Sequence, residues 1–264
     1  PHRDSTLTEH GFVSMVPFEN KILAVWLDGR NYSLINENDT VPTDEMSLRS
    51  AVINKNGQLT EELLIDGRVC SCCQTDAALV STGPILVYRD RSEKEIRDIS
   101  VVRLIDGKWT EPKSVFNDNW KIEGCPVNGP AIETKGDLVA VAWFTAANNI
   151  AKVKVAFSSD GGNKFDKAIV ISDSDPSGRV DLIILKDGSV MMSWLEMSGD
   201  ETLIKACRVR QNGSLDKSIV IARSSDSRSS GFPKMVMKND IVYFAWTETG
   251  KALSVKTASL KLTQ

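Results

Sequence analysis

Long apolar runs are missing from this 264-residue sequence. None approaches the roughly 18 residues that a membrane-crossing helix requires, so no membrane span is expected in this chain. Basic blocks are missing too. Thirty-two Lys and Arg stand against 35 Asp and Glu, a net charge of -3, and the positive charges form no stripe or tail. That removes the electrostatic footprint of a nucleic-acid partner. The chain opens PHRDSTLTEH, without an initiator Met, a signal-peptide apolar region or a transit-peptide pattern. It therefore reads as a processed product or as one lacking an N-terminal portion. Finally, no stretch shows a capped apolar period of 3.6, so almost no helix is expected.

What is present is ordinary globular composition, 41% hydrophobic and 25% charged, over enough length to bury a core. A repeat runs through it. ILAVWLDG (22–29), PILVYRDR (84–91), LVAVAWFT (138–145), SVMMSWLE (189–196) and IVYFAWTE (241–248) are variants of one unit, an apolar run leading to an aromatic and then usually an acid. The aromatics Trp26, Tyr88, Trp143, Trp194 and Trp246 are separated by 62, 55, 51 and 52 residues, a period that matches propeller blades. Upstream of each lies another strand-like run. Downstream come alternating runs such as DISVVRLI, KVKVAFSS and LIKACRVR, then a polar turn with Gly, then a short run such as AIVIS or SIVIA. This is the plan of a four-stranded antiparallel blade. The expected fold is an all-β propeller occupying 1–264 as one domain. Five blades are visible, the last without a clear fourth strand. The residues before Phe12 read as the tail of an earlier blade; either the five units close alone or, as that tail favours, they are part of a six-bladed ring.

One turn, SSDGGNKF, fits Ser-x-Asp-x-Gly-x-x-aromatic at Ser158, Asp160, Gly162 and Phe165 and resembles the Asp box of the sialidase and BNR-repeat superfamily. Its chemistry is local. The aspartate can accept hydrogen bonds from turn amides and the glycine permits positive φ. Together, PHRDSTLTEHGF, CSCCQTDAA, VYRDRSEKEIRDIS and GCPVNGPA are similar to a group of bacterial sialidase-like proteins, over nearly the whole chain. The resemblance implies a ligand on the face where the links from strand two to three, and from strand four to the next blade, open together. It also implies an acidic glycan as partner, held by a cluster of arginines. A fold alone does not fix a reaction.

Sorted by that rule, one face collects the unusual residues. Glu9, His10, Asp76 and Asp181 are the candidates for acid–base work. Arg68, Arg91, Arg179 and Arg228, with Asn128, are the candidates for gripping a carboxylate, since paired guanidinium N–H groups match its geometry. The chain departs from the sialidase pattern in two respects. An early Arg-Ile-Pro element is absent. The three tyrosines also offer no evident nucleophile: Tyr88 and Tyr243 read as blade core, and Tyr32 lies in a long loop. Arg89, Asp90 and Arg91 follow a buried strand, where charge is costly unless paired. Arg97 and Asp98 are placed to pair across the returning strand, while Ser92 to Glu95 reads as a solvated loop. Asp28, Asp90, Glu196 and Glu248 occupy equivalent positions, which argues for a shared structural bond to a neighbouring strand.

Four of the five cysteines, Cys70, Cys72, Cys73 and Cys125, fall on the same face. Two readings stand. One is a disulfide, for instance from Cys125 to a member of the 70–73 group, pinning neighbouring blades in an exported protein, periplasmic or secreted. The other is a metal or thiol-redox site in which these thiolates and His10 hold copper or zinc, without glycosidase activity. The pattern lacks the paired Cys-x2-Cys elements of familiar zinc folds, which weighs for the clasp. Cys207, inside LIKACRVR, reads as a small buried hydrophobe.

Overall fold

In the computed structural model, which describes residues 5–33, 45–250 and 252–262, strands and turns account for the chain. No α-helix occurs among the described residues, only three short 3-10 turns at Arg30–Ser33, Ala147–Asn149 and Arg228–Ser230. No helix among them is long and apolar enough to cross a membrane. The first residues of the expected earlier-blade tail, 1–4, lie outside the described set, as does the side chain of Tyr32. The backbone divides into two compact units, Pro1–Gly129 and Pro130–Gln264.

The first unit holds two antiparallel sheets. Strands β1 (His10–Phe18), β2 (Lys21–Asp28), β3 (Met46–Ile53) and β4 (Leu59–Val69) pair in that order. The second sheet contains β5 (Asp76–Val80), β6 (Gly83–Arg89), β7 (Ile99–Ile105) and β8 (Lys108–Trp109), with β9 (Lys113–Ser114) also on β7. The fourth position of this blade is thus broken in two. Pro112 explains the break, because a residue without an N–H cannot continue the ladder. The core packs Leu23, Val25 and Leu27 of β2 against Met46, Leu86 and Val102.

The second unit holds three sheets. Strands β10 (Ala131–Lys135), β11 (Leu138–Thr145), β12 (Lys152–Ser158) and β13 (Ile169–Ser172) form one. Strands β14 (Pro176–Ile184), β15 (Val190–Ser198), β16 (Glu201–Val209) and β17 (Ile219–Ser224) form the next. The last has three strands, β18 (Lys234–Lys238), β19 (Ile241–Glu248) and β20 (Ser254–Lys261), in keeping with the missing fourth run of the fifth repeat. Ile183, Met191, Ala206, Val242 and Phe244 form a core cluster between the second and third of these sheets.

The repeat has a stereochemical basis. Residues two apart on a strand share a face. Trp26 Nε1 donates to Asp28 Oδ2 and Trp194 Nε1 to Glu196 Oε2, each at 2.8 Å. The acid that follows the aromatic therefore satisfies its buried indole N–H, which would otherwise be costly. Glu196 also meets the neighbouring strand, through Lys205 of β16. Asp28 binds Arg30 and also lies 3.4 Å from His10 Nε2 on the neighbouring strand β1. Tyr88, fully buried, donates its hydroxyl to Asp66 at 2.7 Å. The fifth repeat departs from the rule: Trp246 Nε1 is buried with no partner among the described residues, and Glu248 faces Lys256 at 3.4 Å. Tyr243 is a correction. It stands an odd number of residues before Trp246, so the pleat turns it to the opposite, exposed face rather than into the blade core.

Candidate functional site

In the first unit, β4 ends at Val69 and β5 begins at Asp76, leaving Cys70 to Thr75 as the crossing between sheets. Three ties fix its path. The Cys70 N–H donates to Arg89 O at 3.1 Å, Val69 bridges to Asp90, and Thr75 Oγ1 donates to Phe12 O at 2.9 Å. A second crossing, 125–129, lies against it. Asn128 N–H points at Cys73 Sγ (3.4 Å), and Gly129 N–H donates to Gln74 Oε1 at 2.9 Å. Only glycine fits at 129, because a Cβ there would stand 2.0 Å from the Gln74 carbonyl oxygen.

This packing brings four sulfurs together. Cys72 and Cys125 form a disulfide, as the clasp reading anticipates. Cys125 is exposed, while Cys70 and Cys73 are free thiols in the interior. The Sγ separations are 3.5 Å for Cys70–Cys73, 3.8 Å for Cys70–Cys72 and 3.9 Å for Cys72–Cys73. The hydrogen bond shared with Cys73 brings the Cys70 thiol down to about 5 against the opposing effect of burial. The Cys72 N–H, Arg97 and Arg89 act in the same direction as that bond. Burial pushes the Cys73 thiol well up. Cys207 is buried in β16, as read from the sequence, and burial raises its thiol to about 12.

Beside the sulfurs is an arginine cluster that the sequence places only in part. Glu95, read as part of a solvated loop, is its hub. Arg68 Nη2 reaches Glu95 Oε1 at 3.0 Å, Arg91 Nη2 the same oxygen at 3.0 Å, and Arg97 Nη2 reaches Oε2 at 2.7 Å. Arg91, with Arg97 behind it, holds the Glu95 carboxyl down at about 2 despite the opposing effect of burial. Arg97 also points Nη1 at Cys70 Sγ (3.5 Å), so one guanidinium joins the carboxylate to the thiols. Arg97 pairs with Glu95, and the Asp98 carboxylate accepts the N–H groups of Asn119 and Trp120. Burial raises the pKa of Asp98 and of Asp90, the latter with help from Asp66. Arg89 is interior, donating to the carbonyls of Asn128 (2.8 Å) and Arg97 (2.6 Å) with its guanidinium carbon 4.9 Å from the Trp120 ring centre.

The remaining sequence candidates divide between the units. Arg68 and Arg91 meet at Glu95, and Asn128 lines the sulfur cluster. His10 is an anchor at the start of β1, with Nδ1 on Thr8 O at 2.9 Å and Nε2 3.4 Å from Asp28. Glu9 is exposed and its carbonyl accepts Gly29 N–H. Asp76 is half-buried and accepts the Ala77 N–H. In the second unit, Arg179 is inside β14 rather than in a loop. Its guanidinium is held by Ser230 Oγ (2.6 Å) and the carbonyls of Gly231 and Asp226 (2.9 and 2.6 Å), 5.6 Å from the Phe232 ring centre. Asp181, also in β14, accepts from Lys234 Nζ at 2.9 Å and Met235 N–H at 2.6 Å. Arg179 thus clamps β14 to the segment leading into β18, and Asp181 clamps it to β18 itself. Arg228 is exposed on the 228–230 turn.

No protein-family model matches the chain. No curated protein matches it either. Among solved structures, the chain is similar to an α-L-arabinofuranosidase from Podospora anserina in complex with cellotriose, at 9% identity and TM-score 0.53 over 98% of this chain and 93% of that one. It is also similar to a GH32 β-fructofuranosidase from Bombyx mori, at 13% identity and TM-score 0.50 over 92% of this chain and 55% of that one. A Hadza microbial sialidase aligns at 17% identity and TM-score 0.48 over 81% of this chain and 52% of its own. The first two are β-propellers, and with the blade order described above the chain has the β-propeller fold.

Proposed function

We propose that this chain is an exported propeller that binds an acidic glycan at the arginine cluster of its first unit, with a sugar carboxylate entering the grip that Glu95 now fills. The observation that supports this reading is the meeting of Arg68, Arg91 and Arg97 on one carboxylate. The side chains of Arg68, Arg91 and Glu95 are 29%, 20% and 17% exposed, so the cluster is open to solvent on one side. Three guanidiniums offer more N–H donors than one carboxylate can accept, and charge-assisted bonds of this kind are among the stronger polar contacts. The fold fits the reading, since the similar solved structures are named as glycoside hydrolases. The Cys72–Cys125 disulfide fits an oxidising compartment.

Binding is better supported than cleavage. Of the candidates for acid–base work, His10 and Asp181 are engaged in anchoring strands. Tyr88, which does touch a carboxylate, is sealed in the core, where burial and Asp66 raise its pKa well above the ordinary phenol value.

Calorimetric titration with sialylated and uronate-containing oligosaccharides, and with their neutral counterparts, tests the proposal. Acidic ligands are expected to bind and neutral ones not, with affinity falling as salt rises. Arg91→Ala should weaken binding at least about tenfold, the cost of one charge-assisted hydrogen bond. Glu95→Gln should tighten it by removing the internal competitor. Equal binding of neutral and acidic sugars, or no binding by the folded protein, would overturn the reading. Turnover of a fluorogenic acidic glycoside would extend it to catalysis.

A further inference from the structure

The sulfur cluster has a geometry that a disulfide and two spare thiols do not require. We propose that, once the Cys72–Cys125 disulfide is reduced, Cys70, Cys72, Cys73 and Cys125 form a tetrahedral four-thiolate site for a zinc ion. The disulfide and the metal site are then alternative states of one cluster. This inference is independent of the glycan reading.

Three observations support it. First, the three sulfurs of the 70–73 loop already outline one face of such a site. Zinc–thiolate bonds of about 2.3 Å in a regular tetrahedron put the sulfurs about 3.8 Å apart. The observed separations are 3.5, 3.8 and 3.9 Å. Cys125, bonded to Cys72, is the fourth sulfur within reach, and its exposed position gives an ion a route in. Second, the surroundings suit a site of net charge -2. Arg97 Nη1 at 3.5 Å from Cys70 Sγ and the Asn128 N–H at 3.4 Å from Cys73 Sγ are the N–H···S contacts that orient and stabilise thiolate ligands. Third, the scaffold holds the ligands in place. Cys70 and Cys73 are each 1% exposed, and the two crossings are fastened by Cys70 N–H to Arg89 O and by Gly129 N–H to Gln74. His10, counted with the cysteines in the sequence reading, is not a ligand here, since its ring nitrogens face Thr8 O and Asp28.

The chemistry balances with a small-molecule thiol as reductant. Two RSH reduce Cys72–Cys125 to two thiols and leave as RSSR. Zinc then binds four thiolates, the thiol protons passing to solvent. In reverse, a disulfide oxidant takes two electrons from Cys72 and Cys125, their bond re-forms, two RSH are released and zinc departs.

The test uses the full chain, reduced anaerobically with a phosphine that is then removed. It is titrated with Zn2+ against a chromogenic chelator and with Co2+ as a spectroscopic probe. One ion per chain is expected, with the absorption of tetrahedral cobalt bound by thiolates. Oxidised protein should bind none. Cys73→Ser should lower zinc affinity by at least about a hundredfold, because losing a ligand costs no less than losing a supporting contact. Cys207→Ser should change nothing. Should Cys73→Ser fail to fold, Cys125→Ser decides, because residue 125 is exposed. That variant should bind zinc without any reductant, more weakly, through three thiolates. The proposal falls if the reduced, folded chain takes up no zinc, if it takes copper(I) but not zinc, or if Cys73→Ser and Cys125→Ser bind as the parent does.

Discussion

Single residues decide how the rim is charged. Glu95 is the one carboxylate that Arg68, Arg91 and Arg97 share, and its pKa lies near 2 against an ordinary 4.5. A carboxyl whose folded pKa is depressed contributes stability that is fully present above its unfolded value and disappears as pH falls through the folded one. The window here runs from about pH 4.5 down to about 2, and acid unfolding of the first unit should steepen across it. Glu95→Gln should flatten that part of the curve. It should also lower stability at neutral pH, because three guanidiniums are left to repel one another. A pH series of denaturation midpoints for both proteins checks this, and an unchanged acid limb in Glu95→Gln would show that Glu95 contributes nothing to folding. The sequence shows the density of charge in RDRSEKEIRD but not its centre. Spacing along the chain does not single out Glu95, which takes a left-handed φ of 59° in the turn between β6 and β7.

At the scale of elements, the turn between β12 and β13 shows how a short motif fixes a blade. Ser158 Oγ donates to Asp160 Oδ1 at 2.8 Å and accepts the Gly162 N–H at 3.0 Å, while Asp160 also accepts the N–H groups of Asn163 and Lys164. Gly162, at φ 79°, takes the left-handed conformation that the turn needs. The Asn163 and Lys164 amides are near solvent, but the bond from Gly162 is buried. Ser158→Ala should therefore cost the second unit about 1–3 kcal/mol, the penalty for an unsatisfied buried donor. Asp160→Ala should cost less, because water can replace its partners. Urea denaturation of the two variants gives the order. This much was legible in SSDGGNKF, as were all five aromatic second strands, because apolar runs and turn residues carry local information. The broken fourth position at β8 and β9 was legible only through Pro112. The inward siting of Arg179 was not legible, because β14 carries two register shifts, between Pro176 and Gly178 and between Gly178 and Asp181, and Arg179 itself is at φ 51°. A bulge changes which face a residue occupies, and no alternation pattern announces it.

For the molecule as a whole, the distribution of covalent links matters more than their number. The disulfide closes residues 72 to 125, a separation of 53, entirely within the first unit. The second unit has a core of its own around Met191 and Phe244, and its cysteine, Cys207, is free. In the chain-entropy account a link of this span is worth about 4 kcal/mol. Reduction should therefore lower protection against hydrogen exchange in β6 and β7, by up to that amount, and leave β12 and β15 as they were. Adding zinc to the reduced chain separates two roles for the cysteines. If the four sulfurs are only a clasp, protection in β6 and β7 stays low whatever ion is present. If they form a metal site when reduced, one equivalent of zinc restores much of it, because an ion that binds only the folded arrangement stabilises that arrangement by mass action. Exchange mapped by segment in three samples, oxidised, reduced, and reduced with zinc, makes the distinction, and the strands of the second unit serve as the internal reference.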